Sequence, residues 1–271
     1  SMNAELLTMN AVCDNAFVLS KSLTLKILLG FKCVLCICGM IATVAVLRRA
    51  GLSWLGTAST RAIFMGHVLS ALLCSTGFAF CYAYDVYRLS QIHPNPCDYT
   101  LDMRFAFFMR IIPVFGMFGS IYFMVCLAIE RSVATCAPAG YSFFSNSKLF
   151  SVLIVQLVIL CSLFVPIAFL VPPLKWNQRM YIFNTRTDEN SEMFQHMIWL
   201  EVGPEVLAIA FFHIILYTNR RRSPQMNVDY LKRRVLIESN KRVFHIILPV
   251  LWAHLGFTTL TIFGIFLYPY V

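Results

Sequence analysis

Glu130 and Arg131 stand side by side near the end of an apolar run, in the stretch Leu127-Ala-Ile-Glu-Arg-Ser-Val-Ala-Thr135. An acid and a base at a membrane interface are costly to desolvate, which makes the pair a functional candidate. The chemistry open to it is electrostatic switching. The guanidinium can pair with the neighbouring carboxylate or swing toward a partner inserted between helix ends. Glu238, ahead of the last apolar run, is a second carboxylate able to hold it. The bland alternative is a cation that only anchors the chain. A second set of charges lies inside apolar runs: Arg110, and Glu201 with Glu205 four residues on. Two carboxylates at i, i+4 in a low dielectric repel unless they share a cation or one is protonated. Arg110 is the available cation. The expectation is an Arg110–Glu201/Glu205 cluster lining a ligand cavity; a structural polar clamp between helices stays open beside it.

Other chemistries find little footing. His213, His245 and His254 show no HxxH, HxxxH or HExxH spacing, so neither a metal nor a cofactor is expected. No nucleotide loop, nucleophile elbow or paired catalytic carboxylate is present, and no enzyme is expected. The net charge of +9 would suit nucleic acid, but most of it sits in loops between apolar runs. Zinc-finger spacing and aromatic RNA-binding signatures are absent, so no nucleic-acid partner is expected. Of the ten cysteines, Cys13 and Cys97 lie in segments assigned below to the outside. That side is oxidising, and a bridge tying the N-terminal segment to the top of the third run is one reading. The loop 172–195 has no cysteine to offer instead.

These residues need elements to position them. The chain has 271 residues, 59% hydrophobic and 13% charged, where a soluble domain carries about 25% charged residues. Mean hydropathy is +0.71. Six apolar runs, at roughly 25–47, 62–87, 105–129, 149–171, 196–217 and 243–269, each reach the ~20 residues that cross a bilayer as helix. The expected fold is all-α: a polytopic transmembrane helix bundle forming a single domain over 1–271. Pro204 and Pro249 lack the amide hydrogen and can hinge the fifth and sixth runs, with Trp252 one turn beyond as the side chain that senses the hinge. The bland alternative is proline tolerated in a membrane helix.

Loop cations set the orientation. Arg48, Arg49, Arg61, Arg131, Lys148, Arg220, Arg221, Arg222, Lys232, Arg233, Arg234, Lys241 and Arg242 fall on one side, 13 in all; Lys21, Arg88, Arg104, Lys175, Arg179 and Arg186 fall on the other, 6 in all. This places the N-terminus outside a multi-pass cell membrane. The loop 218–242 carries eight cations against Asp229 and Glu238. Resting on anionic lipid would gain it about 1 kcal/mol per cation.

Pro96-Cys97-Asp98, Arg110, Gly116, Ala128-Ile-Glu-Arg-Ser-Val-Ala-Thr135, Tyr141 and Gln156 together resemble the nematode serpentine chemoreceptors of the Sra-like superfamily, class alpha-beta above all. The resemblance implies a seven-helix sensory-neuron receptor coupled to a heterotrimeric G protein. It adds weight to Glu130 and Arg131 as a coupling switch, with Glu238 as a second partner, while Arg110, Glu201 and Glu205 stay, on their charges alone, the expected pocket for a small molecule or peptide. Six spans of the seven-helix G-protein-coupled-receptor-like architecture are visible before Val271. A six-span channel or transporter, or a non-signalling receptor remnant, are the other readings. A channel would need polar residues along the full depth of a helix, and here they concentrate in the outer half.

Overall fold

The computed structural model describes residues 12–50, 57–136, 148–170, 176, 179–180, 182–183, 191–222, 248–249, 251–252, 255–256 and 259. A short helix, α1, covers 12–20. It is followed by α2 (Leu23–Ala50), α3 (Ala58–Ser90), a 3-10 turn (Pro96–Tyr99), β1 (Leu101–Asp102), α4 (Met103–Cys136), α5 (Lys148–Leu170), β2 (Arg179–Met180) and α6 (Ser191–Arg222). The fold is all-α and polytopic. Five of the described helices, α2 to α6, are long and apolar enough to cross a membrane. The sixth run, 243–269, falls largely outside the described residues; those described within it are helical.

Four of the five membrane-length helices outrun the apolar stretches that announce them, and α5 matches its stretch in length. α4 has 34 residues, about 51 Å at 1.5 Å per residue against a hydrocarbon core of about 30 Å. Its excess length carries Glu130, Arg131 and Thr135 as helix rather than loop. It is also the most enclosed of the five spans, and α2 the least. Pro113 lies inside α4 without ending it.

The chain divides into two compact units. The first comprises Ser1–Arg48, Leu69–Met117 and Leu163–Phe194; the second comprises Arg49–Val68, Phe118–Ser162 and Gln195–Val271.

In the first unit α3 and α4 approach to backbone distance. A Cβ on Gly116 would stand 2.5 Å from the Cys74 amide nitrogen and 2.7 Å from the Ser70 carbonyl oxygen. One on Gly77 would stand 2.8 Å from the Pro113 ring. Small residues allow such contact, which is how membrane helices gain packing energy. Cys81, Leu101, Ala106 and Phe183 form a buried cluster. Tyr84, Phe105 and Phe183 lean ring on ring at 5.5–5.7 Å.

One end of this unit is tied down. β1 and β2 pair antiparallel, Leu101 opposite Met180 and Asp102 opposite Arg179. Cys13 and Cys97 form a disulfide across 84 residues of chain. Asn95 caps the 3-10 turn by accepting from the Cys97 amide, and Asp102 accepts from the Arg104 amide at 2.8 Å to start α4.

In the second unit, His67 on α3 meets Ser120 on α4 through Nδ1, at 2.9 Å from the hydroxyl and 3.1 Å from the carbonyl. The ring of Phe123 lies against Gly66, where a side chain would displace it.

Candidate functional site

The start of α3 and the end of α4 build the site in the second unit. Thr57 precedes α3 and acts as its N-cap: its hydroxyl accepts from the Thr60 amide at 3.3 Å, and its carbonyl accepts from the Arg61 amide at 3.1 Å, the first helical bond. Capping satisfies amides that the helix leaves without partners. It also fixes Thr60 in place, with its hydroxyl 2.8 Å from that of Thr57.

Thr60 faces the acid–base pair. Its hydroxyl donates to Glu130 Oε1 at 2.8 Å and accepts from Arg131 Nη2. Arg131 in turn holds Glu130 with two bonds, Nε to Oε2 at 2.6 Å and Nη2 to Oε1 at 2.8 Å. Neighbouring residues on a helix do not ordinarily face each other; these two long side chains bend onto one another and close a ring with Thr60. The fork of the guanidinium matches the two carboxylate oxygens, the strong form of the interaction. Arg131 is 1% exposed, Glu130 6% and Thr60 0%. Thr135, one turn on, donates its hydroxyl to the Arg131 carbonyl at 2.9 Å.

Burial decides what this arrangement is good for. Taking two charges out of water costs several kcal/mol per ion, and the pair recovers this only while both partners stay in register. The pair is therefore a weak stabiliser and a strong constraint. Displacing Arg131 leaves a buried carboxylate on α4, so any partner that draws the guanidinium away must supply comparable contacts.

A model of the serpentine type 7TM GPCR receptor class ab chemoreceptor family matches residues 10–271. The chain belongs to that family. Serpentine receptor class alpha/beta-14 of Caenorhabditis elegans is 25% identical over 172 residues, which are 60% of this chain and 43% of that relative. The match thus spans less than half the length of the curated relative.

The other residues singled out in this class ab chain fall as follows. Glu238 lies outside the described residues. Arg110 belongs to the first unit, where its guanidinium lies 4.4 Å from the centre of the Phe78 ring. Glu201 and Glu205 belong to the second unit, 4% and 2% exposed on α6. Pro204 lies between them inside a continuous α6. Pro249 is helical and exposed. Trp252 is 53% exposed and meets His213 edge-on at 6.2 Å.

The sequence reading missed three groups in this class ab protein. Thr60 was unremarked, although Thr57-Ala-Ser-Thr60 at a helix start is a capping signal. Asp85 and Arg88 form a buried ion pair at 2.9 Å, i to i+3 on α3. Asp85 also accepts from the Phe183 amide at 3.0 Å, and Arg88 donates to the Tyr99 carbonyl. Arg179 donates to the Cys97 carbonyl and the Thr100 hydroxyl, both at 3.1 Å. The spacing of Asp85 and Arg88 was the available signal; counting Arg88 as a loop cation hid it.

Proposed function

We propose that this chain works as a G-protein-coupled chemosensory receptor. It binds a small molecule or peptide among the outer halves of its helices. It signals through the cytoplasmic ends of its third, fifth and sixth spans. The observation that carries the reading is the buried ring of Glu130, Arg131 and Thr60 at the end of α4, in a chain of a serpentine receptor family.

In this reading the ring is the resting state. Arg131 is held by Glu130 and Thr60, and ligand binding favours a second state in which the helix ends separate and the guanidinium meets the G protein. Ligand shifts that balance only by its differential affinity for the two states. A guanidinium suits the task because it carries its charge at any physiological pH and offers five donors to a new partner. The basic segment 218–242 adds cations to the same face, and the N-terminus lies outside.

Arg131→Ala is the direct test, read as G-protein activation normalised to surface expression. Activation should be abolished while the receptor still reaches the surface. Unchanged signalling would sink the reading. Since the substitution leaves Glu130 buried without its cation, Glu130→Gln/Arg131→Gln serves as a second variant. It keeps neutral hydrogen-bonding groups in place and should be equally silent.

A further inference from the structure

Two cations in the first unit sit on one pair of stacked rings. Phe78 and Tyr82 are four residues apart on α3, with centroids at 5.8 Å and planes 11° from parallel. Arg110 of α4 lies over Phe78, its guanidinium carbon 4.4 Å from the centroid. Lys32 of α2 lies over Tyr82, its ammonium nitrogen 5.7 Å from the centroid. Three helices thus contribute to one half-buried constellation. Arg110 also acts electrostatically on the Tyr82 side chain, and the two cations are close enough to act on each other. Cys36, also on α2, lies within the same range.

The constellation is unbalanced in charge. Among the described residues of this unit the buried carboxylate is Asp85, and it is already engaged. One oxygen takes Arg88 and the other the Phe183 amide. Asp85 acts on Arg110 only at a distance. Asp85 pairs with Arg88, and the described residues of this unit offer Lys32 and Arg110 no second buried carboxylate. Ring faces are a poor substitute for a counter-ion. A membrane-buried cation costs more than the modest attraction of an aromatic face returns, and two adjacent cations add repulsion. A structural clamp between helices would need one cation at most. Two cations from different helices converge where, among the described residues of this unit, no second buried carboxylate pairs them, an arrangement suited to an anion from outside the chain.

We propose that Lys32 and Arg110 form a binding site for a small organic anion, a carboxylate whose apolar body lies among the membrane-spanning helices. The guanidinium accepts the carboxylate as a fork, the ammonium neutralises it as a point charge, and Phe78 with Tyr82 holds both cations in place. The site deepens the receptor reading by giving the ligand a chemical class, yet its occupancy does not depend on coupling to a G protein.

The test uses the full chain, purified into phosphatidylcholine nanodiscs, with benzoate as probe and benzyl alcohol as its uncharged counterpart. Benzoate should raise Tm saturably, and benzyl alcohol should not. Lys32→Gln and Arg110→Gln should each raise the half-saturating benzoate concentration at least about tenfold, a loss of about 1.4 kcal/mol. Lys32→Arg and Arg110→Lys keep the charge and should retain most of the response, which separates lost binding from lost folding. Lys21→Gln removes a cation that also lies over a ring, Phe17 at 4.1 Å, and should leave the response intact. Replacing part of the lipid by phosphatidylglycerol tells apart the sources of the anion. A benzoate shift that persists supports a free carboxylate; one competed away supports the same site filled by a lipid headgroup. Equal shifts with benzoate and benzyl alcohol overturn the site, as does wild-type half-saturation in both glutamine variants. Benzoate binding without any G-protein activation would instead count against the receptor reading and leave the site standing.

Discussion

At the scale of single residues, Thr60 is the member of the proposed switch that can be tested most cleanly. It touches both charged partners, donating to Glu130 and accepting from Arg131, and carries no charge itself. Thr60→Val keeps the branched shape and removes both bonds. A hydrogen bond to a charged group is worth about 1.5–3 kcal/mol, so the resting state should lose about tenfold or more in population relative to the active one. Ligand-independent G-protein activation should rise accordingly at unchanged surface expression. Basal activity equal to wild type would show that Thr60 is a bystander. The acid and base of this site were legible because they are adjacent in the chain and sit where desolvation makes charge costly. Thr60 was not, because it is 70 residues from Glu130 and a threonine at a helix start already has an ordinary use as a cap. The rings beneath Arg110 and Lys32 escaped for a related reason: Phe78 and Tyr82 look like packing residues until a cation is seen lying over them.

At the scale of elements, the contact of α3 with α4 is made by absence of side chain. Gly116→Ala puts a methyl group against backbone atoms, the Cys74 amide nitrogen at 2.5 Å and the Ser70 carbonyl oxygen at 2.7 Å, and backbone cannot swing aside. Overpacking of this kind costs about 1–3 kcal/mol, and thermal unfolding in detergent should fall by about 3–10 °C. Gly203 on α6 has open space where its Cβ would be, and Gly203→Ala should leave Tm unchanged or slightly raised. Equal effects of the two substitutions would mean that the helices do not meet as described. Hydropathy foresaw these helices but shortened them. Predicted 62–87 is Ala58–Ser90, and predicted 105–129 is Met103–Cys136. Apolar runs report only the part of a helix that lipid must accept, whereas caps such as Thr57 and Asp102 set where the helix begins. The β1–β2 pair left no such trace, since two residues per strand are too few for an alternating pattern.

At the scale of the whole molecule, everything proposed for Arg131 depends on which way the chain crosses the membrane. The proposed orientation, N-terminus outside, rests on the loop cations, 13 against 6, by a rule that counts Lys and Arg near the spans and owes nothing to family. The disulfide gives an independent handle, because Cys13 and Cys97 can stay bridged only on an oxidising side. The two arguments test each other: if α3 crosses the membrane, the segment bearing Arg48 and Arg49 and the one bearing Cys97 must fall on opposite sides of it. An epitope tag ahead of residue 10 should therefore be stained on intact cells, and a tag within 218–242 only after permeabilisation. On the same cells an impermeant maleimide should leave Cys13 and Cys97 unlabelled until a reductant is added, and Cys13→Ser should expose Cys97 to it without reductant. Reversed staining would put Arg131 on the outer face, where no G protein could reach it, and the switch proposed for the Glu130–Arg131 pair would fail with it. The Lys32–Arg110 site would survive that result, since an anion within the helices can be reached from either side.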